Sequence, residues 1–137
     1  MRKLMLLAMI CFLSCSKNNN QKEFFLTNGS RKFWNVVYDS HFYDKKNSKI
    51  YPLYCYVFDK DHKWLFCEYR QGACVLYDNG DIEIPPIWNL EADNSIILGL
   101  RYCKIIKLTR DSLIYVWNRT DSVVLAKSCN IPVLRIK

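Results

Sequence analysis

The chain has 137 residues, enough for one domain around one hydrophobic core. Half of the residues are apolar and 15% are aromatic, a composition that can fill such a core and that excludes a largely disordered protein. The formal net charge of +7 overstates the basicity of the folded part, because Arg2 and Lys3 precede the first apolar run and the rest of the chain has 18 basic and 13 acidic residues.

The first fourteen residues have the three parts of an export signal. Arg2 and Lys3 are basic, residues 4–13 are apolar and Ser14 is small. A helix that spans a membrane needs roughly 20 apolar residues, so this run is too short. The sequence therefore predicts a signal peptide over residues 1–14.

Cys15 stands directly after this segment. The stretch Phe12-Leu13-Ser14-Cys15 resembles the lipobox of bacterial lipoproteins, in which the cysteine thiol receives a diacylglycerol and the signal is cut just before it. Two or more acyl chains hold a protein stably on a membrane. The resemblance implies lipidation of Cys15 and a membrane as partner through that anchor, and the alternative is an ordinary secretory signal with an incidental cysteine.

The segment after Cys15 has the composition of a solvated tether. Residues 16–23 contain no apolar side chain and include three consecutive asparagines. We therefore assign 15–31 to the lipidated cysteine and a flexible tether, and 32–137 to the folded domain. Ser16 and Lys17 lack the acidic character that resembles a surface-export signal in lipoproteins of the Bacteroides group, which favours an outer-membrane position facing the periplasm.

The folded domain consists of short apolar runs, rich in β-branched and aromatic residues, with turn signals at intervals of about 8 to 12 residues. Connections this short predict antiparallel pairing of consecutive strands. The fold class is therefore all-β, an up-and-down meander that closes into a barrel of 8–10 strands. The predicted strands are Lys32–Tyr38, Tyr51–Phe58, Lys63–Arg70, Ala73–Tyr77, Asp81–Ile84, Ile87–Leu90, Ser95–Leu98, Tyr102–Leu108, Ser112–Trp117 and Ser122–Lys127.

Three turns fix the predicted register of the central strands. Asp59 and Lys63 are predicted to pair across a three-residue loop with His62 in the left-handed position, which sets Cys55 opposite Cys67. Gln71-Gly72 and Asn79-Gly80 form two-residue turns. One face then collects the bulky side chains and is expected to lie inside: Tyr54, Tyr56, Phe58, Trp64, Phe66, Val75, Tyr77, Ile82 and Ile84. The opposite face, which carries Cys55, Val57, Leu65 and Cys67 among others, is expected to be partly exposed.

The turn and strand residues of the chain resemble those of a known family. The order Phe58-Asp59-Lys60-Asp61, Lys63-Trp64-Leu65, Pro86-Ile87-Trp88, Lys104-Ile105-Ile106-Lys107-Leu108-Thr109 and Asp111-Ser112-Leu113-Ile114 is similar to the lipocalin-like lipoproteins of Bacteroides-type bacteria. The similarity covers roughly residues 33–127. It implies a lipocalin-like barrel, in agreement with the meander derived from the turns.

Lipocalin-type pockets are apolar and contain few polar groups, which suggests a candidate ligand pocket on the inner face. Glu68 and Arg70 fall at one end of that face, where they either orient the polar end of a ligand or emerge into solvent. The candidate pocket comprises Tyr54, Tyr56, Phe58, Trp64, Phe66, Glu68, Arg70 and Tyr77.

The remaining reactive residues give weaker signals. Cys55 and Cys67, as cross-strand neighbours, form either a disulfide or two free thiols. The chain has two histidines, His41 and His62, and neither has the spacing of a metal site, so we expect no metal, no cofactor and no enzymatic activity. No phosphate-binding loop or nucleophile elbow occurs.

Two surface features complete the predictions. Ser112 and Ser122 each follow an aspartate and precede an apolar residue, which resembles the O-glycosylation acceptor of Bacteroides-type bacteria. The basic residues Arg101, Lys104, Lys107 and Arg110 form a predicted patch. Because the aromatic residues are assigned to the core, this patch favours anionic lipid or glycan and not nucleic acid.

Two functions remain open at this point. The first is non-enzymatic binding of a small apolar ligand by a membrane-anchored, lipocalin-like domain. The alternative is a protein-interaction module, such as a periplasmic inhibitor or immunity protein. An aromatic-lined cavity favours the first, and a packed interior with a complementary outer surface favours the second.

Overall fold

The computed structural model describes residues 19–47, 49–50, 54–70, 73–76, 86–129 and 134–135. Strands dominate these residues, and one helix over residues 19–27 precedes them. In chain order the strands are β1 (Arg31–Asp39), β2 (Tyr43–Asp44), β3 (Lys49–Ile50), β4 (Tyr54–Asp59), β5 (Trp64–Arg70), β6 (Ala73–Leu76), β7 (Trp88–Leu90), β8 (Ser95–Leu98), β9 (Arg101–Leu108), β10 (Ser112–Trp117), β11 (Ser122–Cys129) and β12 (Leu134–Arg135).

Ten of these strands form one sheet in the order β12-β6-β5-β4-β1-β11-β10-β9-β8-β7. The runs β4 to β6 and β7 to β11 are antiparallel meanders, and β1 joins them because it pairs with both β4 and β11. An antiparallel bridge between Lys63 and Ile87 links the chain just before β7 back to the start of β5. The sheet is therefore curled, and the all-β meander expected from the sequence is confirmed.

The register predicted from the turns is also confirmed where the structure describes it. His62 has a φ of 60°, the left-handed conformation that the three-residue loop requires. Cys55 lies opposite Cys67 across β4 and β5, and Glu68 lies opposite Val75 across β5 and β6. The predicted Asn79-Gly80 turn, the strand Asp81–Ile84 and Tyr77 lie outside the described residues.

The inner face of the curled sheet contains the main hydrophobic core. It includes all four tryptophans of the chain, with Trp34 and Trp88 fully buried, Trp64 buried and Trp117 partly buried. Alternate residues of β4 contribute Tyr54, Tyr56 and Phe58, as two-residue periodicity predicts. The other buried members are Leu26, Val36, Ile96, Leu98, Cys103, Ile105, Leu113, Tyr115, Val124 and Ala126.

The opposite face of β4 and β5 differs from the prediction of partial exposure. Cys55, Val57 and Cys67 are buried there in a second apolar cluster, and the partly buried Phe33 and Leu65 pack against it. Every residue of β4 is therefore buried, which alternation alone does not reveal. The prediction of a half-exposed outer face is wrong for this strand, because its apolar side chains are buried on both faces of the sheet.

The predicted flexible tether is also wrong in the part that the structure describes. Residues 19–27 are helical, and Leu26 is fully buried because its side chain joins the core beside Trp34. Nε1 of Trp34 donates a hydrogen bond of 3.0 Å to the carbonyl oxygen of Leu26. The helix ends where Asn28 and Gly29 adopt positive φ angles of 53° and 76°, the left-handed geometry that commonly terminates helices. The signal peptide and Cys15 lie outside the described residues.

Candidate functional site

Five of the predicted pocket residues lie together inside the sheet. The ring centroids of Tyr54 and Phe66 are 4.9 Å apart, and that of Tyr56 lies 5.6 Å from Trp64. Phe58 contacts Tyr56 on one side and Trp88, which sequence analysis did not include, on the other. These distances are typical of packed aromatic pairs.

The three other predicted pocket residues are placed less fully. Glu68 is half-buried on β5, opposite Tyr54 on one neighbouring strand and Val75 on the other. Arg70 ends β5, with its backbone paired to Ala73. Tyr77 lies outside the described residues.

Two buried phenol contacts lie across the interior. The hydroxyl of Tyr115 on β10 donates to the hydroxyl of Tyr56 on β4 at 2.8 Å. The hydroxyl of Tyr54 donates to the carboxylate of Asp39, which also accepts the backbone N–H of His41 at 2.9 Å. Asp39 is itself buried, and its carboxylate accepts hydrogen bonds from both of these donors.

Burial controls the acidity of these phenols. It raises the pKa of Tyr56 to about 12, although the hydrogen bond from Tyr115 and the positive charge of Arg101 act in the opposite direction. Burial is also the largest cause of the raised pKa of Tyr54, and the neighbouring Tyr56 and Asp39 add to it. The pKa of Tyr115 is well above its ordinary value for the same reason. All three phenols are therefore neutral at physiological pH.

Arg101 lies on the inner side of β9. Its guanidinium carbon is 4.6 Å from the ring centroid of Trp117, a cation–π contact. Burial raises the pKa of Cys103 to about 12, and the charge of Arg101 lowers it, as it does for Tyr56. In the described part of the chain this guanidinium forms no ion pair. The predicted basic patch is therefore divided, because Lys104 and Lys107 are exposed while Arg101 is half-buried beside the core.

The four indole N–H groups fall into two classes. Those of Trp34 and Trp88 donate to the carbonyl oxygens of Leu26 and Asp59, at 3.0 and 3.1 Å. Those of Trp64 and Trp117 are buried, and no acceptor lies within reach among the described residues. A buried donor without a partner costs about 1–3 kcal/mol, so a bound molecule that supplies an acceptor recovers that energy.

In the structure Cys55 and Cys67 are two thiols on neighbouring strands, with no disulfide between them. A hydrogen bond from Cys55 lowers the pKa of Cys67, against the effect of burial. Both residues are fully buried, and they are neighbours because of the register of β4 and β5.

The burial of these cysteines predicts their reactivity. In the folded protein, we expect iodoacetamide to modify the half-buried Cys129 at least ten times faster than Cys55 or Cys67, because alkylation requires an accessible thiolate. Peptide mass mapping over time measures the three rates, and unfolding in urea should make them similar. Equal rates in the folded state would contradict the packing described for β4 and β5.

Ser112 and Ser122 are both buried at the first residues of their strands. The hydroxyl of Ser122 also accepts a hydrogen bond of 2.7 Å from Thr120. Each residue is 8% exposed, so little of it reaches solvent in the folded protein, and O-glycosylation at either serine stays a prediction.

Sequence analysis did not assign five residues to this site: Asp39, Trp88, Arg101, Tyr115 and Trp117. The signal for three of them was the alternation of β9 and β10, where Arg101, Cys103 and Ile105 share one side. Grouping Arg101 with nearby lysines by charge obscured that alternation. Asp39 gives no such signal, since an acidic residue at the end of a strand is usually solvated.

Comparison with known proteins does not identify the chain: it matches no protein-family model, no curated protein and no solved structure. In the described residues, no helix is long and apolar enough to cross a membrane. The same residues contain no group of three histidine, cysteine, aspartate or glutamate side chains arranged to hold a metal ion.

Proposed function

We propose that this protein is a non-enzymatic lipoprotein, anchored to the outer membrane through Cys15 and facing the periplasm, that binds a small apolar molecule inside its lipocalin-like curled sheet. The observation that carries the proposal is the buried N–H of Trp64, which has no acceptor among the described residues, while the indole ring packs against Tyr56 in the apolar core. A ligand that is mostly apolar and has an acceptor atom suits that environment.

The direct experiment is native mass spectrometry of the full chain, extracted from membranes in a mild detergent that is removed in the gas phase. We expect a population that carries one additional small molecule, and solvent denaturation should release it. A chain that shows only its own mass from several extraction conditions, and that binds no apolar probe added afterwards, would contradict ligand binding.

The anchor is tested separately. Replacing Cys15 by alanine should remove the thiol that receives the diacylglycerol, so the protein should move from the membrane fraction to the periplasmic fraction. A Cys15→Ala variant that stays in the membrane fraction would contradict the lipoprotein proposal without affecting the ligand proposal.

A protein-interaction module is the second candidate, and the outer surface favours it. Three apolar residues are exposed on this surface: Tyr102 and Ile106 of β9 and Val123 of β11. Val116 of the intervening strand β10 lies opposite Val123. Exposed apolar residues grouped in this way often mark interaction sites. A photo-crosslinking residue at Ile106 should then capture one defined partner in the native host, whereas the same residue at the exposed Arg119 should not.

A further inference from the structure

The outer surface of strands β9, β10 and β11 combines exposed apolar side chains with lysines. The register places Lys104 opposite Val116, and Val116 opposite Val123, so these three side chains form one row across the strands. Tyr102 and Ile106 lie on either side of Lys104 along β9, and both are exposed. We call this surface the β9–β11 face and define it by the side chains that point away from the core: Tyr102, Lys104, Ile106, Lys107, Ile114, Val116, Val123, Leu125 and Lys127.

The charge of the β9–β11 face has one sign. Lys104, Lys107 and Lys127 are exposed, and the three strands, which the structure describes in full, contain no aspartate or glutamate. Among the described residues, none of these three ammonium groups forms an ion pair. At the edge of the face the hydroxyl of Tyr102 donates to the carboxylate of Asp93, in the turn between β7 and β8. An exposed apolar surface with unpaired lysines complements a partner that has anionic groups above hydrocarbon.

The helix that precedes β1 brings the proposed anchor close to this face. Because the helix is packed onto the core, the chain between Cys15 and residue 19 can span at most about 14 Å. Nζ of Lys32 donates to the carbonyl oxygen of Phe25 in the helix and to that of Arg110 in the turn between β9 and β10. The helix therefore lies beside the turn at one end of the β9–β11 face, and a lipid on Cys15 would keep the domain at the membrane surface.

We infer that the β9–β11 face lies on an anionic phospholipid surface, with its lysines at the headgroup phosphates and its exposed apolar side chains at the boundary with the acyl chains. This inference goes beyond ligand binding and rests on the proposed anchor at Cys15. Tyrosine is enriched at that depth of a membrane, and lysine extends its charged end toward the headgroups. A soluble acidic polymer would use the lysines but would leave Ile106, which is 58% exposed, in water.

The test measures how fast individual lysines of the full chain react on vesicles. The chain extracted from membranes is reconstituted on vesicles of phosphatidylcholine, or of an equal mixture of phosphatidylcholine and phosphatidylglycerol. An acetylating reagent that does not cross membranes is then applied, and peptide mass mapping gives the rates. Each lysine near an anionic surface strengthens attachment roughly five-fold, so we expect acetylation of Lys104 and Lys107 to be at least five times slower on the mixed vesicles. The rate at Lys45, exposed in the turn between β2 and β3, should stay the same.

A pair of matched variants tests whether this face makes the contact. Ile106→Glu places a negative charge in the middle of the β9–β11 face and should abolish the slower acetylation of Lys104 and Lys107. Ile87→Glu makes the same change at a residue that is 44% exposed outside the face, and should keep the full difference between the two kinds of vesicle. Circular dichroism checks that both variants are folded, and the comparison of vesicles with the unchanged chain needs no variant.

The failure of this inference and that of the proposed anchor are distinguishable. Equal acetylation rates on the two kinds of vesicle would overturn the inference, and the anchor proposal would stand if Cys15→Ala still left the membrane fraction. Capture of one defined protein by a photo-crosslinking residue at Ile106, in place of phospholipid, would assign the face to that protein and would also overturn the inference.

Discussion

Replacing Trp88 by alanine is expected to lower the free energy of unfolding by about 3–5 kcal/mol, the range for removing a fully buried tryptophan. Trp88 is fully buried, packs at right angles against Phe58 and stacks on His62 with ring centroids 4.5 Å apart. Its backbone N–H donates to the carbonyl oxygen of His62 at 2.9 Å, and its indole N–H donates to Asp59. Trp88 therefore connects β7 to the turn between β4 and β5 through its ring contacts and these two hydrogen bonds.

Urea unfolding of the wild type and the variant measures this difference. The neighbouring Ile87 is the matched control, because it is 44% exposed and Ile87→Ala should cost less than about 1 kcal/mol. Trp88→Phe retains part of the ring packing but loses the hydrogen bond, so its cost should lie between the two. If Trp88→Ala and Ile87→Ala were equally stable, the curled sheet would not be held together at this contact.

The second large effect is a loss of stability at alkaline pH. The folded pKa values of Tyr54, Tyr56 and Tyr115 are raised by burial, whereas in the unfolded chain a tyrosine titrates near its ordinary value of about 10. Below pH 10 both states hold these phenol protons, so the three phenols do not change the free energy of unfolding there. Above pH 10 the unfolded chain releases them first, so the free energy of unfolding falls as pH rises.

Each such group contributes about 1.4 kcal/mol per pH unit, so the three phenols together should lower the free energy of unfolding by about 4 kcal/mol between pH 8 and pH 11. The buried thiol of Cys103, with a pKa of about 12, acts in the same direction. Urea unfolding over this range, with tyrosinate absorbance as a second signal, measures the loss. Tyr115→Phe removes one phenol and should reduce the loss by about a third of the phenol contribution.

If the phenols ionised near pH 10 in the folded protein and the free energy of unfolding stayed constant, the burial of Tyr54, Tyr56 and Tyr115 would be refuted. The change in the free energy of unfolding between pH 8 and pH 11 reports the ionisation of the phenols, whereas the value at pH 8 reports packing and hydrogen bonding. Tyr115→Phe also removes the hydrogen bond to Tyr56, which should cost about 1 kcal/mol at pH 8, where ionisation plays no part.

The local chemistry of turns and strands made much of the fold predictable. The His62 turn fixed the register of β4 and β5, because a three-residue loop with one left-handed residue permits a single pairing. Two-residue alternation then placed Tyr54, Tyr56 and Phe58 on the same side, and all three are buried. These features depend on neighbouring residues in the sequence, so the sequence is sufficient to predict them.

The features that the sequence did not predict depend on contacts between distant segments. The helix over residues 19–27 has a polar first half, so its composition predicts a tether. The contact that holds it, between Leu26 and Trp34, is not visible in that composition. Burial of Cys55 and Cys67 on the outer face is a property of tertiary packing. Arg101 is half-buried on the same side of β9 as Cys103 and Ile105, because side chains alternate along the strand, whereas Lys104 on the other side is exposed.

The central claim is that the inner side of the curled sheet binds the ligand, and the four indole N–H groups test it directly. In a nitrogen-labelled full chain titrated with 1-decanol, an apolar probe with one acceptor oxygen, the indole resonances of Trp117 and Trp64 should shift because these donors have no acceptor among the described residues. Those of Trp34 and Trp88, already bonded to Leu26 and Asp59, should stay in place. Shifts confined to the backbone of Tyr102 and Ile106 on the outer surface, with all four indole resonances unmoved, would contradict the claim.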